Sequence, residues 1–440
     1  MQTSRKGIGV RMPLFSRSRH RRPTLAAAAA VVVALTLAAC SSSQSAGNSS
    51  SEQSTTAAAT GQTPATGAGS ATASGGAASG TATSSGSGSA SAGSGDFLAD
   101  AKAAVDKAYQ GTWREPAPGP AAVKGKKIYV IPCGIAAIGC YQPALGVKDA
   151  AADLGWTVTM VDGKLTPAGY NAAIGQAVAQ KPDGIVTVGI DCAVAKAALT
   201  QAKAAGIPTV NVYGIDCNDP KIGEKDPLFT AAVDTGTGQD VGAWSASTGA
   251  IAAQYLIAKT EGKAKVLEFA QLGFTNVEYI HEGFEKELAK CTTCVVTKKV
   301  TFTPADVANG AIAGKVTGGL LSAGDANAIY FDNDGDVTSA IPALKANPHP
   351  DWITLGHEGL PTTMPLVGTT LTALFAFSPE WLGWCGAYAM NEVLAKHPVT
   401  DCGLGLQILD ADHNKQPADA TMVTPSIDFK KIMRAQWSAS

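Results

Sequence analysis

The sequence predicts an α/β protein of two lobes, each a parallel sheet covered by helices. Three observations carry this. Apolar runs of strand length alternate with helical patterns from residue 126 onward, the rhythm of parallel strands joined by helical crossovers. The alternation falls into two series separated by a long helical stretch at 239–259, and together they exceed the about 250 residues one core usually serves. Residues 183–219 carry the same tetrapeptide twice, Gly189-Ile190-Asp191-Cys192 and Gly214-Ile215-Asp216-Cys217, each after an apolar run. An Ala-rich helical segment lies between the copies. They form one strand–helix–strand unit with a carboxylate and a thiol at the carboxyl end of each strand, the end where open α/β sheets bind ligands.

The 440 residues are too many for one ordinary domain, and a hydrophobic content of 45% allows a sizeable core. The formal charge of −2 averages two unlike parts. Seven basic residues precede Cys40 with no acidic residue among them, which leaves 27 basic against 36 acidic residues, a net of −9. An acidic remainder argues against a nucleic-acid partner, which needs clustered Lys and Arg.

Residues 1–39 are expected to be a signal peptide: a basic stretch to Arg22, then an apolar run from Leu25 to Ala39 that is short for a membrane span. Leu37-Ala38-Ala39-Cys40 resembles the lipobox of bacterial lipoproteins, which implies cleavage before Cys40 and lipid on its thiol. Residues 40–95 continue as an almost uncharged Ser/Gly/Ala/Thr linker that cannot bury enough apolar surface to fold. Such a coil spans roughly 40 Å, a tether length. Residues 96–110 have helical spacing and end at Pro116, Pro118 and Pro120, so 96–123 are expected to be a helix and connector loosely outside the main fold.

Strands are expected at 127–132, 157–161, 185–190, 208–213 and 229–234, with helices at 143–154, 167–180 and 193–205 between them. After the helix at 239–259 the second series has strands at 264–270, 295–302, 328–332, 352–355, 370–377 and 404–410. Its helices fall at 277–290, 304–322, 337–345 and 379–396.

Nine cysteines less Cys40 leave eight, an even number in an exported chain. Of the 105 connectivities eight cysteines allow, the local separations favour Cys133–Cys140, Cys192–Cys217, Cys291–Cys294 and Cys385–Cys402. The second would contribute on the order of 3 kcal/mol by loop-closure entropy. Cys291-Thr292-Thr293-Cys294 follows a helix rather than opening one, the wrong end for a reactive thiolate. Gly236-Thr237-Gly238 lacks the third glycine of a dinucleotide turn, and His281-Glu282 and His357-Glu358 lack a second His. Asp332-Asn333-Asp334-Gly335-Asp336 is half a calcium loop with its glycine misplaced. No cofactor and no metal are implied. What remains is a set of polar groups at strand ends, Asp191, Asp216, Asp234, Asn333 and Glu358.

From 126 to 410 the chain resembles type I periplasmic solute-binding proteins of the ribose/galactose class. Ala205-Gly206-Ile207-Pro208-Thr209-Val210 resembles the run before that family's fourth strand. Ala328-Ile329-Tyr330-Phe331-Asp332-Asn333-Asp334 matches its A-V-x-x-x-N-D pattern. Glu282-Gly283-Phe284 resembles its E-G-F, and Leu355-Gly356-His357-Glu358-Gly359 its V-G-F-D-G. The resemblance implies two Rossmann-like lobes joined by a three-crossover hinge: 124–235 with 378–403, and 236–377 with 404–430. It implies ligand capture between the lobes and docking on an ABC permease, with no chemistry of the protein's own. Asn333 matches the amide that bonds sugar hydroxyls, and Glu358 stands where the family has Asp. Elsewhere the chain departs: Tyr213-Gly214 replaces an Asp-Arg, Glu278 falls near an expected Arg, Phe377 near an expected Gln, and Gly139-Cys140 with adjacent Tyr141 replaces paired Phe. Expected ligand contacts are therefore Tyr141, Asp191, Tyr213, Asp216, Asp234, Glu278, Asn333, Glu358 and Phe377. Loss of both Arg with gain of Glu admits a polyol, an amino-alcohol or a cationic solute beside a sugar. The expected protein is a monomer held by lipid on the extracytoplasmic face of the cell membrane. Its expected partners are a small solute and the permease. The alternatives are a sensor presenting ligand to a membrane receptor and an exported hydrolase using carboxylates such as Asp191 and Glu358.

Overall fold

The computed structural model describes residues 96–235, 240–417 and 419–439. The signal peptide, Cys40, the linker and the Gly236/Gly238 pair lie outside the described residues.

Helix α1 (Asp96–Gln110) precedes the first sheet. That sheet holds β1 (Lys127–Pro132), β2 (Thr157–Met160), β3 (Gly184–Val188), β4 (Thr209–Val212) and β5 (Ala231–Ala232), all parallel, in the order β2-β1-β3-β4-β5. β3 and β4 are buried at every residue, which is why they read as unbroken apolar runs. Its crossovers are α2 (Ile138–Asp153), α3 (Pro167–Ala179) and α4 (Cys192–Ala204). α3 begins on Thr166, whose side chain accepts from Gly169 N, with Pro167 in its first turn.

Helix α5 (Val241–Lys259), capped by Asp240, leads into the second sheet. β6 (Lys265–Gln271), β7 (Val295–Phe302), β8 (Ala328–Phe331), β9 (Ile353–Glu358), β10 (Ala373–Ala376) and β11 (Gln407–Asp410) lie in the order β11-β10-β9-β8-β6-β7. All neighbours are parallel except β10 and β11. α6 (Thr275–Leu288), α7 (Pro304–Asn309), α8 (Ile312–Leu321) and α9 (Asp334–Ala346) cover this sheet. α10 (Pro379–Leu394) returns to the first lobe, against α2, β3 and β4. α11 (Phe429–Ser438) ends the fold.

Three features differ from the sequence reading. The helix expected over 304–322 is two helices, because Gly310 takes a left-handed φ of 70° and ends α7. α1 is not loosely attached: Ala101, Val105 and Ala108 are buried against α5 and β11 in the second lobe. The connector after it pairs with the crossover into β11, through Thr112 N to Leu406 O (3.0 Å), Arg114 N to Gly403 O (3.0 Å) and Ala117 N to Asp401 O (2.8 Å). α11, which the sequence patterns did not show, lies on the first lobe. There Trp437 stacks on Trp384 at 5.4 Å, and Lys430 meets Asp149 at 3.0 Å.

One helix pair in each lobe crosses at glycines. On α5 and α6, Gly249 faces the Ile280 carbonyl and Gly283 the Ala246 carbonyl; on α2 and α10, Gly146 and Gly383 meet. A Cβ at any of these sites would collide with backbone. Four disulfides brace loop ends: Cys133–Cys140 ties β1 to α2, Cys192–Cys217 ties α4 to the loop after β4, Cys291–Cys294 closes the turn before β7, and Cys385–Cys402 ties α10 to the crossover.

Glu268 on β6 is fully buried, with both carboxyl oxygens unpartnered by hydrogen bonds among the described residues and Lys299 Nζ 3.9 Å away. Burial, helped by the Glu285 charge, pushes its carboxyl from 4.5 up to about 8. The folded protein thus keeps this proton to higher pH than the unfolded chain, so the stability it gives is intact below pH 4.5 and lost as pH rises through about 8. Glu268→Gln is expected to flatten the fall in denaturation midpoint between those two pH values. Gly283→Ala is expected to cost about 1–3 kcal/mol in urea titration, because the crossing must open. Gly175→Ala, with nothing within 4 Å of the new methyl, is expected to add about 0.5–1 kcal/mol.

Candidate functional site

Because every strand but β11 is parallel to its neighbours, the loops leaving β1, β3 and β4 face those leaving β6, β8 and β9 across the space between the lobes. These loops enclose a cavity of about 300 Å³, the lower end of the range for small-ligand sites. The first lobe contributes Cys133, Cys140 and the start of α2, with Gly189 and Tyr213; the second contributes Gln271, Phe274, Asn276, Asn333, Asp336 and Glu358. The Cys133–Cys140 disulfide is itself part of the wall.

Two lining residues hold left-handed backbone without being glycine. Tyr213 at the end of β4 has φ of 68°, and Glu358 at the end of β9 has φ of 100°. They meet across the lobes: the Tyr213 hydroxyl donates to Glu358 Oε1 at 3.3 Å. Burial and the Glu358 charge push the Tyr213 hydroxyl well above its usual range, so it stays a donor. Asp334 holds the turn that carries Glu358. Its buried oxygens accept from His357 N (2.8 Å), Gly359 N (2.8 Å), Leu360 N (3.1 Å) and Thr363 Oγ1 (2.5 Å). Burial pushes its carboxyl up to about 6 even against these donors. The 332–336 run is a strand-to-helix turn in which Asp334 accepts backbone amides and Asn333 caps α9 through Gly335 N at 2.6 Å.

Of the residues expected from sequence, the cavity brings together Tyr213, Asn333 and Glu358. Asp191 lies in a smaller adjoining cavity with Tyr170 and Phe274. Both its oxygens are committed, Oδ1 to Ile215 N at 2.8 Å and Oδ2 to Thr275 N at 2.9 Å, so it caps α6 of the opposite lobe. Asp216 and Asp234 line a separate cleft. There Asp216 Oδ1 accepts from Cys217 N (2.7 Å) and Leu228 N (2.9 Å) and shapes the loop. Asp216 also lies close to the sulfurs of Cys192 and Cys217, but these are joined in a disulfide and offer no thiolate to a metal. Glu278 Oε1 accepts from Gly273 N at 2.8 Å, within its own turn. Phe377 is buried behind Tyr213, ring centroids 5.7 Å apart, and Tyr141 sits on α2 outside the lining.

The sequence reading missed Gln271, Asn276, Asp336, Thr338 and Ser339. Gln271 ends an apolar strand and Asp336 stood in the run weighed for calcium, so the strand-end rule could have found both. Besides the Tyr213 and Asp191 contacts, Tyr279 donates to Asp219 at 2.7 Å and Lys221 pairs with Glu282 at 2.5 Å, drawing the lobes together.

Two α/β lobes facing each other across a small cavity, its wall largely apolar with a few polar side chains, define a solute-binding architecture. The chain belongs to the family described as periplasmic binding protein domain, whose model matches residues 130–398. Among solved structures it is similar to an ABC sugar transporter subunit from Rhodobacter sphaeroides, at 20% identity, over 66% of this chain and 100% of that one, with a TM-score of 0.55. It is similar to an ABC transporter solute-binding protein from Agrobacterium vitis bound with alpha-D-tagatopyranose, at 19% identity, over 68% and 100%, with a TM-score of 0.56. A solute-binding protein from Bacillus halodurans with bound myo-inositol matches at 16% identity, over 66% and 96%, with a TM-score of 0.55. Among curated proteins none matches significantly.

Asp334→Ala leaves three buried backbone N–H groups without an acceptor. It is expected to lower stability by on the order of 3 kcal/mol in denaturant titration, whereas Thr363→Ala, which removes one hydroxyl, is expected to cost about 1 kcal/mol.

Proposed function

We propose that this protein is an extracytoplasmic solute-binding lipoprotein that captures a small polyhydroxylated ligand between its lobes and delivers it to an ABC importer. The observation that carries this is the cavity at the carboxyl ends of both sheets, whose largely apolar wall carries side-chain amides, hydroxyls and carboxyls. Solved structures of this fold hold sugars and polyols, including alpha-D-tagatopyranose and myo-inositol. Tyr213, Asn333 and Glu358 are the ligand contacts we assign from the original set, with Gln271, Asn276 and Asp336 added. The interlobe bonds of Asp191 and Tyr213 support a closed form reached by hinge motion. Leu37-Ala38-Ala39-Cys40 supports lipid attachment at Cys40, and the linker after it supports a tethered monomer on the outer face of the membrane. The protein acts by binding and has no chemistry of its own.

A thermal-shift screen of the oxidised protein against pentoses, hexoses, polyols and amino sugars tests the binding reading. A true ligand at 100 times its Kd is expected to add about 2.7 kcal/mol, to be recovered unchanged after incubation, and to lose its effect in Asn333→Ala. Conversion of the ligand to product would replace this reading with an enzyme. Cys40→Ser is expected to move the protein from the membrane fraction to the soluble fraction; retention would remove the lipid anchor from the proposal.

A further inference from the structure

The ionisable lining of the cavity has one sign. Glu358 and Asp336 line it, and among the described residues no Lys, Arg or His does. Both are buried, at 3% and 1% exposure, and Glu358 Oε2 and Asp336 Oδ2 have no hydrogen-bond partner among the described residues. Asp332, fully buried on the same β8–α9 turn, leaves Oδ1 unpartnered as well. Buried polar atoms in folded proteins are almost always bonded, so three such oxygens together need an explanation. The nearest imidazole does not supply one. His357 Nε2 lies 3.0 Å from Thr248 Oγ1, and burial drags its pKa down to about 3, so it is neutral.

Two helix N-termini offset part of this charge. Gly139 in the first turn of α2 lies against Glu358, a Cβ there standing 3.3 Å from Oε2, and α9 starts at Asp334. Each terminus is worth roughly half a positive charge, so the pair offsets about one of the three carboxylates. Burial pushes all three carboxyls well above the usual range, and neighbouring carboxylates raise each further. A neutral sugar would leave them protonated or uncompensated. A ligand ammonium would meet the free oxygens with charge-assisted bonds, roughly twice as strong as neutral ones.

We propose that the ligand is a polyhydroxylated amine, an amino sugar or amino polyol, with its ammonium group held between Glu358 and Asp336. This rests on the cavity being the solute site. Gln271, Asn276, Asn333 and Ser339 supply the hydrogen bonds that hydroxyls need, which distinguishes this ligand from a bare amine. Phe274 offers an aromatic face at the same wall.

The test is calorimetry at neutral pH on the oxidised protein with matched pairs: D-glucosamine and D-glucose, D-galactosamine and D-galactose, scyllo-inosamine and scyllo-inositol. The expected result is at least one amine binding ten-fold or more tighter than its neutral twin. Protons are then released on binding, read as a dependence of the heat on buffer ionisation, because the carboxyls ionise as the ammonium arrives. Glu358→Gln and Asp336→Asn are each expected to remove most of the amine preference, read as the ratio of amine to neutral-twin affinity, and to reduce the proton release that accompanies amine binding. If a neutral twin binds as tightly as its amine, or if these variants keep the preference, the charge inference falls and the solute-binding reading stands. If no member of any pair binds, both fall.

Discussion

A parallel strand is left at its carboxyl end and re-entered at its amino end, so every crossover loop of one polarity gathers on one side of the sheet. That constraint organises this molecule twice. The first sheet is parallel throughout, and the second is parallel except at the edge strand β11. Each lobe therefore presents a rim of strand-end residues, and chain crossings that include 377–378 and 395–406 set the two rims face to face. The cavity is what remains between them. Its polar groups come from strand ends and the turns after them, where backbone stops satisfying backbone and side chains take over.

The carboxylates at those ends divide by how their oxygens are satisfied. Asp334, Asp191 and Asp216 are turned into the backbone and accept amide protons, so each stabilises a loop or joins one lobe to the other. Glu358, Asp336 and Asp332 keep oxygens that no described group meets. Asp334 stands two residues from both Asp332 and Asp336 and has the opposite role. Asp334 fixes the backbone from His357 to Leu360, and that fixed turn aims its neighbour Glu358 at Tyr213 across the interlobe space. The left-handed backbone at Tyr213 and Glu358 is strain held in place by this surrounding structure.

The sheets were legible because buried parallel strands are continuous apolar runs, and the two-lobe division followed from their repetition. The site was only partly legible, and Asp191 shows why. Sequence places it at the end of β3, but whether its carboxylate faces a ligand or an amide depends on Thr275, 84 residues away. Asp216 and Glu278 also accept from nearby backbone, Cys217 N and Gly273 N, a use of the carboxylate that position at a strand or helix end does not reveal. α1 was underestimated because a face of Ala101, Val105 and Ala108 is too small to announce burial, although small side chains are what let α1 lie close on α5. The division of 304–322 turned on the single left-handed residue Gly310.

The two terminal arms alter how such a hinge can move. α1 is packed in the second lobe, while the connector that follows hydrogen-bonds along the crossover into β11 and then reaches the first lobe, where Asn391 holds Val123 N at 2.9 Å. Arg114 ties this connector to Asp401 at 2.9 Å. From the other end, α11 returns to α2 and α10 through Trp437 and Lys430. Each arm thus has one part on either lobe or on the crossover between them. Opening must bend these arms as well as the three inner crossings, and residues 401–406 carry both the Cys385–Cys402 disulfide and the pairing with the connector. The lobes themselves also meet through side-chain pairs rather than strand pairing, Lys221 with Glu282 and Tyr279 with Asp219.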